Sequence, residues 1–118
     1  MPKVTIYHNP RCTKSRQTLK LIREQGIEPE IIEYLHDPPD EATIEKLLKK
    51  LGMRASELVR RKDARALGLS DTEDDATWIR RMAQHPKIME RPIVVVGRKA
   101  RLGRPPENVL EILPAQKS

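Results

Sequence analysis

Phenylalanine is absent from this sequence, and its aromatic residues are Tyr7, Tyr34 and Trp78 alone. The core must therefore be aliphatic, and three rings offer no stacking platform for single-stranded nucleic acid. There is one cysteine, Cys12, so an internal disulfide framework is excluded and nothing calls for an oxidising compartment. The longest purely aliphatic run, Ile93 to Val96, is far too short to cross a membrane. Met1-Pro2-Lys3 leads straight into a strand pattern without an apolar leader, and the expected location is cytoplasmic.

What remains is a wet, basic, foldable chain. Its 118 residues, 37% hydrophobic and 34% charged, suit one soluble domain spanning 1–118. The net charge of +6 favours anionic partners, either small oxyanions, acidic molecules resembling glutathione, acidic protein surfaces or nucleic acid. The basic residues are scattered over several elements and build no recognition helix, so no nucleic-acid partner is expected.

Residue patterning sets the expected order of elements. Val4-Thr5-Ile6-Tyr7 reads as a first strand. A helix from about Thr13 should stop at Gly26, with Ile27 packing back on Ile22 as in a Schellman ending. Glu30 to Leu35 reads as a second strand, which makes a right-handed parallel βαβ unit. Asp37-Pro38-Pro39-Asp40 signals a helix start, and Ile44, Leu47, Leu48 and Leu51 form a helical stripe that Gly52 ends. Further helices are expected over Ser56 to Lys62 and over about Asp74 to Gln84. Together they form a helical insert over about 40–90.

Pro92 to Val96 and Lys99 to Leu102 read as the last two strands, joined at Gly97-Arg98 by a type II′ turn. A closing helix follows from Pro105-Pro106-Glu107 and ends at Pro114. The predicted fold class is α/β. It is a thioredoxin-like, four-stranded mixed sheet with the helical insert after the second strand.

A lone cysteine is most often a small, inert hydrophobe. Cys12 departs from that pattern because it lies between a strand and a helix, off the apolar stripe of either. A sulfur there faces the unpaired amides and positive dipole end of the helix, which favours the thiolate. Arg11, Lys14, Arg16 and His8 are expected to push the same way. The same amides and cations would attract a tetrahedral oxyanion. Cys12-Thr13-Lys14-Ser15 is a redox C-x-x-C whose second thiol is a hydroxyl, so any disulfide must form with another molecule. His36 and His85 have no metal-ligand spacing with Cys12, and no metal is expected.

Four separated stretches carry a wider likeness. They are Y-H-N-P-R-C-T-K-S-R, E-L-V-R-R-K, H-P-K-I-M-E-R-P-I-V-V and R-L-G-R-P-P-E. In this order they resemble the glutaredoxin-linked arsenate reductase family, over about residues 3 to 113. The resemblance implies reduction of arsenate to arsenite, with Cys12 as nucleophile and His8 helping to hold it ionised. It implies that Arg60, Arg91 and Arg104 bind the oxyanion, and Ser15 joins them as a substrate-side residue. Glutathione is the implied co-substrate and glutaredoxin the implied partner, with no bound cofactor. A proline opening the third strand of such a fold implies a cis Arg91–Pro92 bond. Thr13 stands where better-known members carry glycine.

Two other functions compete. One is a related glutathione-dependent thiol oxidoreductase with a different substrate. The other is a redox-responsive transcriptional regulator of the same fold that binds RNA polymerase. Such regulators typically switch through C-x-x-C, which Ser15 here interrupts.

Overall fold

The computed structural model describes residues 3–114. Its contacts divide the described residues into two compact units, one formed by residues 3–34 and 91–114, the other by residues 35–90. The second unit is thus inserted between the two halves of the first.

In the first unit the order is β1 (Val4–His8), α1 (Thr13–Glu24), β2 (Glu30–Glu33), β3 (Ile93–Val96) and β4 (Lys99–Leu102). A 3-10 helix, Pro106–Glu111, closes it. The strands lie side by side as β2-β1-β3-β4. β1 pairs parallel with β2 and antiparallel with β3, while β3 and β4 form an antiparallel hairpin. This is the thioredoxin-like arrangement expected from the patterning.

Register explains the core. Val4 pairs with Val96 and Ile6 with Val94, so the period-2 side chains of both strands fall on one face. Ile22 of α1 and Val109 and Ile112 of the closing segment pack onto that face. Ile6, Ile22, Val94 and Val109 are each fully buried, and each contributes about 1.5–3 kcal/mol by leaving water.

The C-terminus of α1 forms the predicted Schellman ending. Ile27 N–H donates to the Ile22 carbonyl and Gly26 N–H to that of Arg23, with Gly26 at φ 80°. In the hairpin turn Gly97 sits at φ 61° and Arg98 does not share a positive φ, as type II′ requires. The Arg91–Pro92 bond is cis as expected, and Arg104–Pro105 is cis as well. The closing helix differs from expectation in kind. Starting at two prolines and spanning six residues, it adopts 3-10 rather than α geometry.

The second unit is helical. α2 (Glu41–Leu51) is capped by Asp40, whose carboxylate accepts the Thr43 N–H at 2.8 Å, and ends at Gly52. α4 (Asp75–Gln84) is capped by Asp74 in the same way and packs against α2. Trp78 is buried there, with its indole N–H on the Thr72 carbonyl at 2.7 Å. The guanidinium groups of Arg61 and Arg81 lie over its ring at 5.7 and 4.9 Å.

One expected element is broken in two. Instead of a single helix over Ser56 to Lys62, a 3-10 turn spans Ala55–Leu58 and α3 begins at Arg61 (Arg61–Ala66). Between them Val59 forms a β-bridge with Met89. Glu90 N–H donates to Leu58 and Arg60 N–H donates to Ile88. The extended pairing satisfies backbone groups that a continuous helix would have taken internally, and it suits β-branched Val59. No helix among the described residues is long and apolar enough to cross a membrane.

Candidate active site around Cys12

The loop from β1 to α1 is built by local sequence. Cys12 N–H donates to the Asn9 carbonyl at 2.9 Å, closing a turn with Asn at its first position and Pro10 at its second. The Asn9 side chain accepts the Arg11 N–H at 3.0 Å, reinforcing that turn. Cys12 then occupies the N-cap position of α1 with extended backbone, φ −93° and ψ 122°. Its side chain is half-buried.

An N-cap side chain faces the N–H groups two and three residues on. Here those belong to Lys14 and Ser15. No side-chain cap hydrogen bond forms with the sulfur, yet both N–H groups favour its ionised form. Partial burial pushes the thiol up. The Ser15 and Lys14 amides and the charges of Arg104 and Arg91 outweigh it and hold the thiol below its ordinary value.

The cations responsible differ from those adjacent to the cysteine in the chain. Arg11, Lys14 and Arg16 are exposed. Arg16 folds back on the turn, donating to the Pro10 carbonyl at 2.9 Å and to Thr13 Oγ1 at 3.2 Å. Arg104 comes from the loop after β4, and its Nη2 lies 3.7 Å from the Cys12 sulfur. Its Nε donates to the Arg91 carbonyl at 2.7 Å, which ties the two arginines together.

His8 and Ser15 meet across the loop that carries Cys12. Both are buried, and His8 Nδ1 is 2.6 Å from Ser15 Oγ. That oxygen also accepts the Asn9 N–H at 3.0 Å. The Ser15 hydroxyl is therefore engaged inside the protein, and what Ser15 presents to the sulfur is its backbone N–H. Burial lowers the His8 pKa, the Glu33 carboxylate opposes this, and Arg23 and Arg16 add to it. The net direction is downward, which favours the neutral ring, and its Nδ1 is held on the Ser15 hydroxyl that braces the loop.

Arg60 belongs to the second unit. It is the N-cap of α3, and its Nε lies 3.5 Å from Asp63 and 3.7 Å from Glu90. Its neighbour Arg61 is spent on Asp71, at 2.7 Å, and on the Trp78 ring.

Patterning missed three residues. Asn9 was legible as the start of an Asn-Pro turn. Thr18 is fully buried and donates to the Lys14 carbonyl at 2.8 Å, which gives it no outward signal. Gly103 lies within R-L-G-R-P-P-E, and its N–H donates to the Pro92 carbonyl at 3.0 Å. A groove of about 540 Å³ between His8, Arg16, Lys20 and Arg23 flanks α1 without including Cys12. Among the described residues, no group of three or more His, Cys, Asp or Glu is placed to hold a metal.

Residues 7–112 match the ArsC family model. This chain belongs to the ArsC family. Its relatives include the uncharacterised protein YfgD of Escherichia coli (strain K12), 54% identical over 115 residues and covering 94% of this chain and 97% of that one. An arsenate reductase of the same organism is 46% identical over 121 aligned positions, covering 99% of this chain and 86% of its own length. The solved structure of an arsenate reductase from Vibrio cholerae matches with a TM-score of 0.83 at 46% identity, covering 95% and 98%. Within the ArsC family frame, Cys12, Arg91 and Arg104 form one cluster in this chain.

Proposed function

We propose that this chain reduces arsenate to arsenite, with Cys12 as nucleophile, glutathione as reductant and a glutaredoxin to restore the thiol. The observation that carries this reading is the Cys12 sulfur at the start of α1, under the Arg104 guanidinium at 3.7 Å. A thiolate and an oxyanion are stabilised by the same amides and the same cations, so nucleophile and substrate are drawn to one point.

The chemistry balances as follows. The Cys12 thiolate replaces one arsenate hydroxyl, which leaves as water, and a sulfur–arsenic bond forms. A glutathione thiol replaces a second hydroxyl, again as water. Formation of the sulfur–sulfur bond leaves two electrons on arsenic, so arsenic(V) becomes arsenic(III) and Cys12 becomes a glutathione disulfide. Water completes arsenite as it departs. Glutaredoxin and a second glutathione then release the Cys12 thiol. Arg91 and Arg104 hold the anion, and the resemblance of E-L-V-R-R-K assigns Arg60 to the same task. Ser15 acts through its N–H, and His8 supports it through the Ser15 hydroxyl. The cytoplasm, with its glutathione pool, is the compartment that goes with this chemistry.

The test is NADPH consumption with arsenate, glutathione, glutaredoxin and glutathione reductase. Turnover that requires both arsenate and Cys12, and is lost in Cys12→Ser, supports the proposal. A protein with no arsenate-dependent turnover contradicts it. One observation favours a second reading. YfgD, uncharacterised, is 54% identical to this chain, against 46% for the arsenate reductase of the same organism. That reading keeps the Cys12 chemistry and replaces arsenate with another oxyanion or a glutathione mixed disulfide.

A further inference from the structure

We propose that Gly103 is a positioning residue for Arg104: with Thr18 it lets the loop after β4 lie against α1 at the separation that brings the guanidinium to the Cys12 sulfur. A Cβ added at Gly103 would overlap Thr18 Oγ1, stand 2.8 Å from Pro92 Cγ and 3.0 Å from Thr18 Cγ2. The glycine is not explained by backbone conformation, since the positive-φ glycines are Gly26, Gly52, Gly68 and Gly97. It is required by contact.

The contact has a consequence at the next residue. Gly103 and Arg104 are tied side by side to the start of β3, by the Gly103 N–H on the Pro92 carbonyl at 3.0 Å and the Arg104 Nε on the Arg91 carbonyl at 2.7 Å. The Gly103 carbonyl lies 3.5 Å from Thr18 Oγ1, on the helix whose N-cap is Cys12. A side chain at 103 must move this segment away from α1. Arg104 moves with it, and its 3.7 Å approach to the sulfur lengthens.

The inference rests on the pairing of Arg104 with Cys12 and not on the identity of the substrate. Its test therefore uses thiol alkylation by iodoacetamide over a range of pH. Gly103→Ala is expected to slow alkylation by about three-fold at a pH below the midpoint, because lost thiolate outweighs the gain in nucleophilicity. In an Arg104→Gln background, Gly103→Ala should add no further slowing, since both act on one interaction. Thr18→Ala with Gly103→Ala removes the two Thr18 obstructions, the nearest atom among them, and leaves the Pro92 ring carbon at 2.8 Å. This double variant should fold and return to within about two-fold of wild type.

Four results overturn the proposal. They are a folded Gly103→Ala variant with wild-type alkylation, full additivity with Arg104→Gln, a double variant that folds without recovery, and a double variant that fails to fold. Arsenate turnover can fail while this pattern holds, and the reverse is equally possible, so the two proposals are separable.

Discussion

Nη2 of Arg104 lies 3.7 Å from the sulfur of Cys12, although the two are 92 residues apart in the chain. After the Ser15 and Lys14 amides, the charges that favour the thiolate thus come from residues remote in sequence, Arg104 and Arg91. Replacing Arg104 with Gln removes the charge and should slow alkylation of Cys12 near neutral pH by about three-fold. Arg104→Lys should lose less, since it keeps a cation while giving up the Nε bond to Arg91. Alkylation rates of both variants against pH check the order.

Ser15 separates a hydroxyl from an amide. Its Oγ is buried between His8 Nδ1 and the Asn9 N–H, so Ser15→Ala leaves two buried groups without that partner. The expected cost is about 1–3 kcal/mol in urea unfolding. The alkylation profile of Cys12 should change little, because the backbone N–H that acts on the sulfur is retained.

His8 makes stability depend on acid. Its folded pKa lies below 6.5, chiefly through burial, so the unfolded chain binds more protons as pH drops below that value. The stability from neutral, buried His8 is fully present above about 6.5 and is lost as pH falls through the folded value. Urea midpoints should therefore fall from neutral pH to about 5, and His8→Gln should flatten the part due to this residue.

Core and surface apolar residues should part cleanly. Ile6 is fully buried in β1, and Ile6→Ala should cost about 2–5 kcal/mol. Ile31 in β2 is 37% exposed, and Ile31→Ala should stay within about 0.5 kcal/mol. Urea unfolding of the two variants makes the comparison.

Local features were legible in the sequence because their causes are local. Gly26 and Ile27 close α1 as their order implies, and Asp40 caps α2 three residues before the N–H it accepts. Features set by distant partners were not. The break at Val59 exists because Met89 pairs with it from 30 positions on, which helix patterning does not register. Adjacency pointed to the basic run at 11, 14 and 16, whose side chains are exposed, whereas Arg104 and Arg91, which act most on the thiol among the charges, were reached only through the family resemblance. Gly103 carries no distinct signal in one dimension. Its requirement is a clearance against Thr18, which only packing reveals.

If arsenate drives glutathione onto Cys12, intact-mass analysis of the protein reads the product. The protein is incubated with reduced glutathione, with and without arsenate, and without glutaredoxin. One glutathione per chain is expected, on Cys12, appearing only when arsenate is present and absent from Cys12→Ser. No adduct, or an adduct that forms equally without arsenate, would contradict it.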